Sequence, residues 1–160
     1  MSVGQAATAD SSLLGQSPVG WRVDRIRDHL SGIVGGEWGD DPDAHDDGIE
    51  LPVIRVADIR DLDLTVDDLT IRRIKESKLT GRLIGKQTIL LEKSGGGENK
   101  PVGRAVRTNR VIFDAICSNF MAKVDCCDTV APEFVVYMLG VSGFLCVRLL
   151  NPSLNREAAW

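Results

Sequence analysis

Apolar residues recur along the chain with two different periods. In WRVDRIRDHLSGIV, Trp21 to Val34, the residues Val23, Ile26, Leu30 and Ile33 fall at helical spacing, Arg22, Arg25, Arg27 and Asp28 take positions between them, and Gly35 and Gly36 follow as a stop. This predicts an N-terminal helix. Leu51 to Ile59, LPVIRVADI, is short and β-branched and predicts a strand with Asp58 near its end. Asp67 to Leu79 is mixed and reads as helical or turn-rich. Gln87 to Lys93, QTILLEK, predicts a strand entering a glycine-rich interruption, and Val102 to Arg107 a strand leaving it. In ICSNFMAKV, Ile116, Ser118, Phe120, Ala122 and Val124 alternate with Cys117, Asn119, Met121 and Lys123, the period of a strand, and Phe120 is expected in the core. Pro132 then opens a C-terminal helix at Glu133. Helices mixed with several strands that do not alternate with them predict an α+β domain with a mixed or antiparallel sheet, an N-terminal helix and a C-terminal helix.

Composition bounds the size of that domain. With 160 residues and 43% hydrophobic content the chain buries one core. Residues 1–20, MSVGQAATADSSLLGQSPVG, have neither a basic opening nor a sustained apolar stretch and read as a disordered tail, not a signal peptide. The four cysteines, Cys117, Cys126, Cys127 and Cys146, show no CxxC spacing, which implies reduced thiols and a cytoplasmic location. Phe134 to Val147, FVVYMLGVSGFLCV, is apolar but stops after fourteen residues at Arg148, short of the roughly 18 or more of a spanning helix. A buried helix is expected, and no membrane partner.

The net charge of -4 conceals a separation along the chain. Glu37 to Asp68 holds twelve acids against Arg55 and Arg60, whereas Thr70 to Arg110 holds eleven bases against Glu76, Glu92 and Glu98. A face built from the second segment would attract a polyanion in spite of the overall sign. Equally, linear clustering need not survive folding.

Several chemistries fail on spacing. The acidic loop EWGDDPDAHDDG puts His45 where a calcium loop needs an oxygen ligand, and Pro52 or Ile54 where it needs Glu. GRLIGKQT, Gly81 to Thr88, has three residues between its glycines where a phosphate loop has four, and Gln87 where Ser or Thr must meet magnesium. SGGGENKPVG follows a strand but leads into another strand, so no helix N-terminus faces an anion. His29 and His45 lack the neighbours of a zinc or nucleophile site, and Cys126 and Cys127 read as core residues before a redox pair. No catalytic constellation and no cofactor are expected.

The glycine-rich hairpin LLEKSGGGENKPVGRAV, Leu90 to Val106, suits nucleic acid better. Glycines let a backbone approach a phosphate closely, Ser94 and the amides of Gly95, Gly96 and Gly97 donate hydrogen bonds, and Lys93, Lys100, Arg104 and Arg107 bring charge. Asn99 and Asn119 present amides suited to base edges. An ordinary hairpin loop with solvated lysines accounts for the same residues and stays open here.

Four ordered segments, GGEWGDDP at Gly35 to Pro42, LPVIRVADI, LLEKSGGGENKPVGRAV and CSNFMAKV, resemble the target recognition domain of the specificity subunit of type I restriction-modification systems, over about Trp21 to Leu139. The resemblance implies a non-catalytic DNA reader of bacterial defence. In that family two such domains, separated by long helices, each bind half of a split target in double-stranded DNA, and the helices carry methyltransferase subunits to which a restriction subunit is added. The resemblance carries over Lys93, Ser94, Gly95, Gly96, Gly97, Pro101, Val102, Gly103, Arg104, Ser118, Asn119 and Phe120. It implies as partners duplex DNA, the methyltransferase and restriction subunits, and a second specificity half-subunit. Residues 21–140 are then the recognition domain, and 141–160, VSGFLCVRLLNPSLNREAAW, an atypical or truncated segment where the family continues into its spacer helix. The alternative is an interaction module that binds methyltransferase or specificity subunits without holding DNA.

Overall fold

The computed structural model describes residues 19, 24–44, 47–60, 63–95 and 102–141, and among these nine strands form three sheets, with one α-helix packed against the largest. Residues 1–18, residues 96–101 of the glycine-rich segment and residues 142–160 lie outside the described residues. The strands are β1 (Leu30–Gly35), β2 (Ile49–Ile54), β3 (Ile59–Arg60), β4 (Asp63–Leu64), β5 (Thr70–Ile74), β6 (Thr88–Glu92), β7 (Ala105–Arg107), β8 (Ile116–Cys117) and β9 (Met121–Cys126). The helix is α1 (Pro132–Val141), whose start at Pro132 matches the expectation.

The larger sheet runs β1-β9-β6-β7, with each adjacent pair antiparallel. Its middle strand β6, TILLE, is buried at every position, as befits a strand covered on both faces, and this is why its apolar run does not alternate. Ile89 and Leu91 join Val124, Val135 and Leu139 in the layer beneath α1. Leu90 points the other way, into a cluster with Ile54, Ile59, Leu64, Val106 and Met121. On α1 the i,i+4 pair Val135 and Leu139 is buried, each worth about 1.5–3 kcal/mol. Phe134 and Tyr137 on the same helix are exposed, so the expected buried helix is buried on one side only. The second sheet, β5-β2-β8, joins β2 antiparallel to β5 and parallel to β8.

Two expectations are corrected. The α+β class gives way to a predominantly β architecture, because no N-terminal helix forms among the described residues. Ile26–His29 is a single 3-10 turn, and Leu30–Gly35 is strand β1, paired with the edge of β9. Gly32 and Gly35 are poor helix formers, and β9 offers ladder partners that no local helix could match. Leu30, Gly32 and Val34 then face inward and Ile33 is left exposed, a period of two where 3.6 was expected. The second correction concerns Ile116 to Val124, which is two strands broken by a turn at Asn119 and Phe120, with the Met121 amide donating to the Ser118 carbonyl at 2.9 Å. The break turns Phe120 out of the core, 50% exposed.

The sequence dipole folds onto itself. β5 carries Arg72 and Arg73 alongside the acidic segment: Arg73 pairs with Glu50, Arg72 approaches Asp41 at 3.5 Å, and Lys78 approaches Glu37 at 3.7 Å. Further on, Arg110 pairs with Asp63 at 2.7 Å.

Candidate nucleic-acid interface

Three distant segments build one groove of about 340 Å³: Trp38; Arg55 to Ala57; and Ser118 to Phe120. Each is held from behind. Gly36 and Glu37 donate backbone bonds to the Met121 and Cys117 carbonyls at 3.0 and 2.9 Å, which ties the Trp38 segment to the turn after β8. The Arg72 guanidinium lies over the Trp38 ring at 4.9 Å, a cation–π contact that orients the indole. The Ser118 amide donates to the Ile54 carbonyl at 2.9 Å, fixing the third segment beside the second.

Arg55 is clamped by Asp58, whose carboxylate accepts the Arg55 amide at 2.7 Å and its guanidinium at 2.9 and 3.2 Å. Hydrogen bonding to Asp58 raises the Arg55 pKa, and the same carboxylate offsets the charge of the guanidinium it holds. Cys117, just behind the groove, behaves oppositely: burial pushes its thiol up to about 11 and keeps it neutral. Cys117, Cys126 and Cys127 are all free thiols.

Ser118 is 2% exposed, and no protein group among the described residues bonds its hydroxyl. A buried hydroxyl without a partner costs about 1–3 kcal/mol. Ser118→Ala is therefore expected to stabilise the domain by about 1 kcal/mol, read as a higher urea midpoint at unchanged slope. A lowered midpoint would mean that the hydroxyl supports the fold.

The hairpin residues reach this groove at one point. The amides of Lys93 and Ser94 donate to the Phe120 carbonyl at 3.0 and 3.2 Å. Gly95 follows at φ +98, a conformation open to glycine, with the Phe120 ring 3.5 Å from where its Cβ would stand. Lys93 and Asn119 are exposed, and Lys93 has no carboxylate partner among the described residues. The structure thus gathers Lys93, Ser94, Gly95 and Asn119. Gly96, Gly97, Asn99 and Lys100 lie outside the described residues.

Arg104 and Arg107 have internal partners. Arg104 donates to the buried Glu92 carboxylate at 2.8 Å and to the Ile59 and Val56 carbonyls at 3.3 and 3.4 Å; the hydrogen bond to Glu92 raises its pKa. Arg107 stands opposite Ile89 on the ladder and pairs with Glu133 of α1 at 2.7 Å. Each keeps about two-fifths of its side chain open, 41% and 39%.

Trp38 and Arg55 escaped the residue-by-residue reading, which looked for basic loops. The available signals were Trp38 amid an otherwise polar loop and the Arg-x-x-Asp spacing of Arg55 and Asp58. Among the described residues no group of His, Cys, Asp or Glu is placed to hold a metal ion, and no helix is long and apolar enough to cross a membrane.

The fold is similar to that in the crystal structure of the HsdS subunit from Thermoanaerobacter tengcongensis, with a TM-score of 0.54 and 21% identity, covering 79% of this chain and 28% of that one. At this identity the likeness is one of fold. The chain spans little more than a quarter of that protein's length. No protein-family model and no curated protein matches the sequence.

Proposed function

We propose that this domain is a non-catalytic reader of double-stranded DNA, serving as one recognition half of a type I restriction-modification specificity subunit. The reading rests on one observation. Three of the four segments that carry the sequence resemblance line a single groove, and the fourth abuts it through Gly95 and Phe120, in a fold shared with an HsdS subunit. In this role Lys93, Ser94 and Gly95 meet the phosphate backbone, with Gly96, Gly97 and Lys100 beyond them on the same hairpin, and Asn99 and Asn119 meet base edges. Arg104 and Arg107 contribute field, with their charge offset by Glu92 and Glu133. The domain supplies the address; methyltransferase and restriction subunits, in the bacterial cytoplasm, supply methyl transfer and cleavage, and a second half-subunit would complete the split target.

Selection from a random duplex library tests this reading. One short enriched motif is the expected result; enrichment of nothing above background would reject it. Lys93→Ala should weaken binding to the selected site and lower the slope of log K against log salt by about 0.9, the value for one phosphate contact. Its melting temperature should stay unchanged, since Lys93 is exposed and holds no ion pair among the described residues. An unaltered slope would remove Lys93 from the interface.

A second reading, an interaction module that binds methyltransferase or specificity subunits without DNA, is favoured by the internal pairing of Arg72, Arg73, Lys78, Arg104, Arg107 and Arg110. Retention of a methyltransferase subunit in a pull-down, with no retention of duplex DNA, would select it.

A further inference from the structure

We infer that the groove between Trp38, Arg55 and Ser118 to Phe120 holds a single nucleobase taken out of the helical stack. The inference rests on the DNA-reading function proposed above and names a contact within it. A reader that worked only through exposed loops would have no use for a preformed concavity. This one, at about 340 Å³, sits at the small end of the roughly 300–1,000 Å³ of ligand sites and suits one ring system.

Its chemistry is that of a base site. Two aromatic rings, Trp38 and Phe120, offer stacking surface, and stacking accepts any base because every base has a π-face. Phe120 is 50% exposed, so its ring is open to a stacking partner. Arg72 already occupies one approach to the Trp38 indole and pins it, so the ring needs no rearrangement to receive a ligand. Ser118 supplies a further sign of a ligand: the residue lines the groove, and its hydroxyl is buried and bonded by no protein group among the described residues. A change of χ1 rotamer would turn that hydroxyl toward a base edge entering the groove. Arg55 also lines the groove; Asp58 offsets its charge and holds its guanidinium in place, which leaves the remaining N–H groups as donors to an extruded nucleotide. Asn119 adds an exposed amide for the same edge.

Extrusion costs the pairing and stacking of one base, and a mismatch lowers that cost in advance. The test therefore uses the full chain and the duplex carrying its selected site, with each base pair replaced in turn by a mismatch. One position is expected at which the mismatch tightens binding, by roughly tenfold, instead of weakening it. Phe120→Ala and Ser118→Ala should each cut that gain to less than about twofold, by removing the stacking surface or the edge contact. Both side chains lack a structural hydrogen bond, and Ser118→Ala in particular keeps the fold, which a melting curve verifies. Sequence-specific binding with no tightening position, or tightening of equal size in both variants, overturns the base site and leaves the reader intact. Absence of any duplex binding removes both together.

Discussion

Arg104→Ala is expected to destabilise the domain by about 2–4 kcal/mol, a large fraction of the stability of a chain this size. Glu92 is 3% exposed on the central strand β6, and the Arg104 guanidinium is its ion-pair partner at 2.8 Å. Removing the guanidinium strands a buried carboxylate and also frees the Ile59 and Val56 carbonyls, through which the larger sheet is tied to β3 and the turn before it. The estimate stays at the lower end of the range for broken buried pairs because Arg104 is 41% exposed and water would partly replace it. Urea denaturation of the single variant and of Glu92→Gln/Arg104→Met separates the causes. The double variant should recover at least half of the loss, since an amide bears desolvation better than an unpaired carboxylate. Equal destabilisation by both would assign the effect to lost packing. Any fall in DNA affinity of Arg104→Ala must be read against this cost, which Lys93→Ala does not share.

Gly36→Ala is expected to cost about 3 kcal/mol or more, while the same change at two other glycines costs little. A Cβ on Gly36 would stand 2.1 Å from the Ser118 carbonyl oxygen and 2.3 Å from that of Cys117. Both are backbone atoms, so no side-chain rotation relieves the contact. Either the end of β1 or the turn after β8 must move, breaking the hydrogen bonds that the Gly36 and Glu37 amides donate and separating Trp38 from Ser118 across the groove. At Gly35 the same atom meets only the Lys93 ammonium, at 3.3 Å, the far end of a flexible side chain. At Gly140 it meets nothing within 4 Å, and replacing a helical glycine by alanine should stabilise α1 by about 0.5–1 kcal/mol. Thermal denaturation of the three variants should rank Gly36→Ala far below wild type, Gly35→Ala near it and Gly140→Ala at or above it. A mild Gly36→Ala would mean that the two segments are not in close contact.

In the proposed reading, duplex binding and the base site would depend on opposite features of the interface. Phosphate contact would draw on Lys93, exposed and without an ion pair among the described residues, whereas the groove would draw on groups locked from behind, Trp38 by Arg72 and Arg55 by Asp58. The unbonded Ser118 hydroxyl fits the second kind: its removal should strengthen the fold and weaken recognition, the usual sign of a group retained for binding at the expense of stability.

Residue pattern alone determined the elements whose partners lie close in sequence or whose signal is stereochemical. Pro132 opens α1 because its fixed φ and missing amide suit a first helical turn, and TILLE is strand because five residues without a breaker, ending at a glycine loop, leave no room for a helix. The faulty phosphate-loop spacing likewise needed no coordinates. Tertiary structure decided what depends on a partner from elsewhere in the chain. Leu30–Gly35 satisfies a helical and a strand period about equally, and the open edge of β9, some ninety positions later, settles it as strand. The field of the basic segment is decided the same way: acids of the preceding segment offset the charges of Arg72, Arg73 and Arg110, which is visible only once the fold brings them within ion-pair reach. The groove belongs wholly to this second kind. It joins Trp38, Arg55 and Ser118 through backbone bonds between distant segments, and long-range pairing of that sort leaves no periodicity in the sequence.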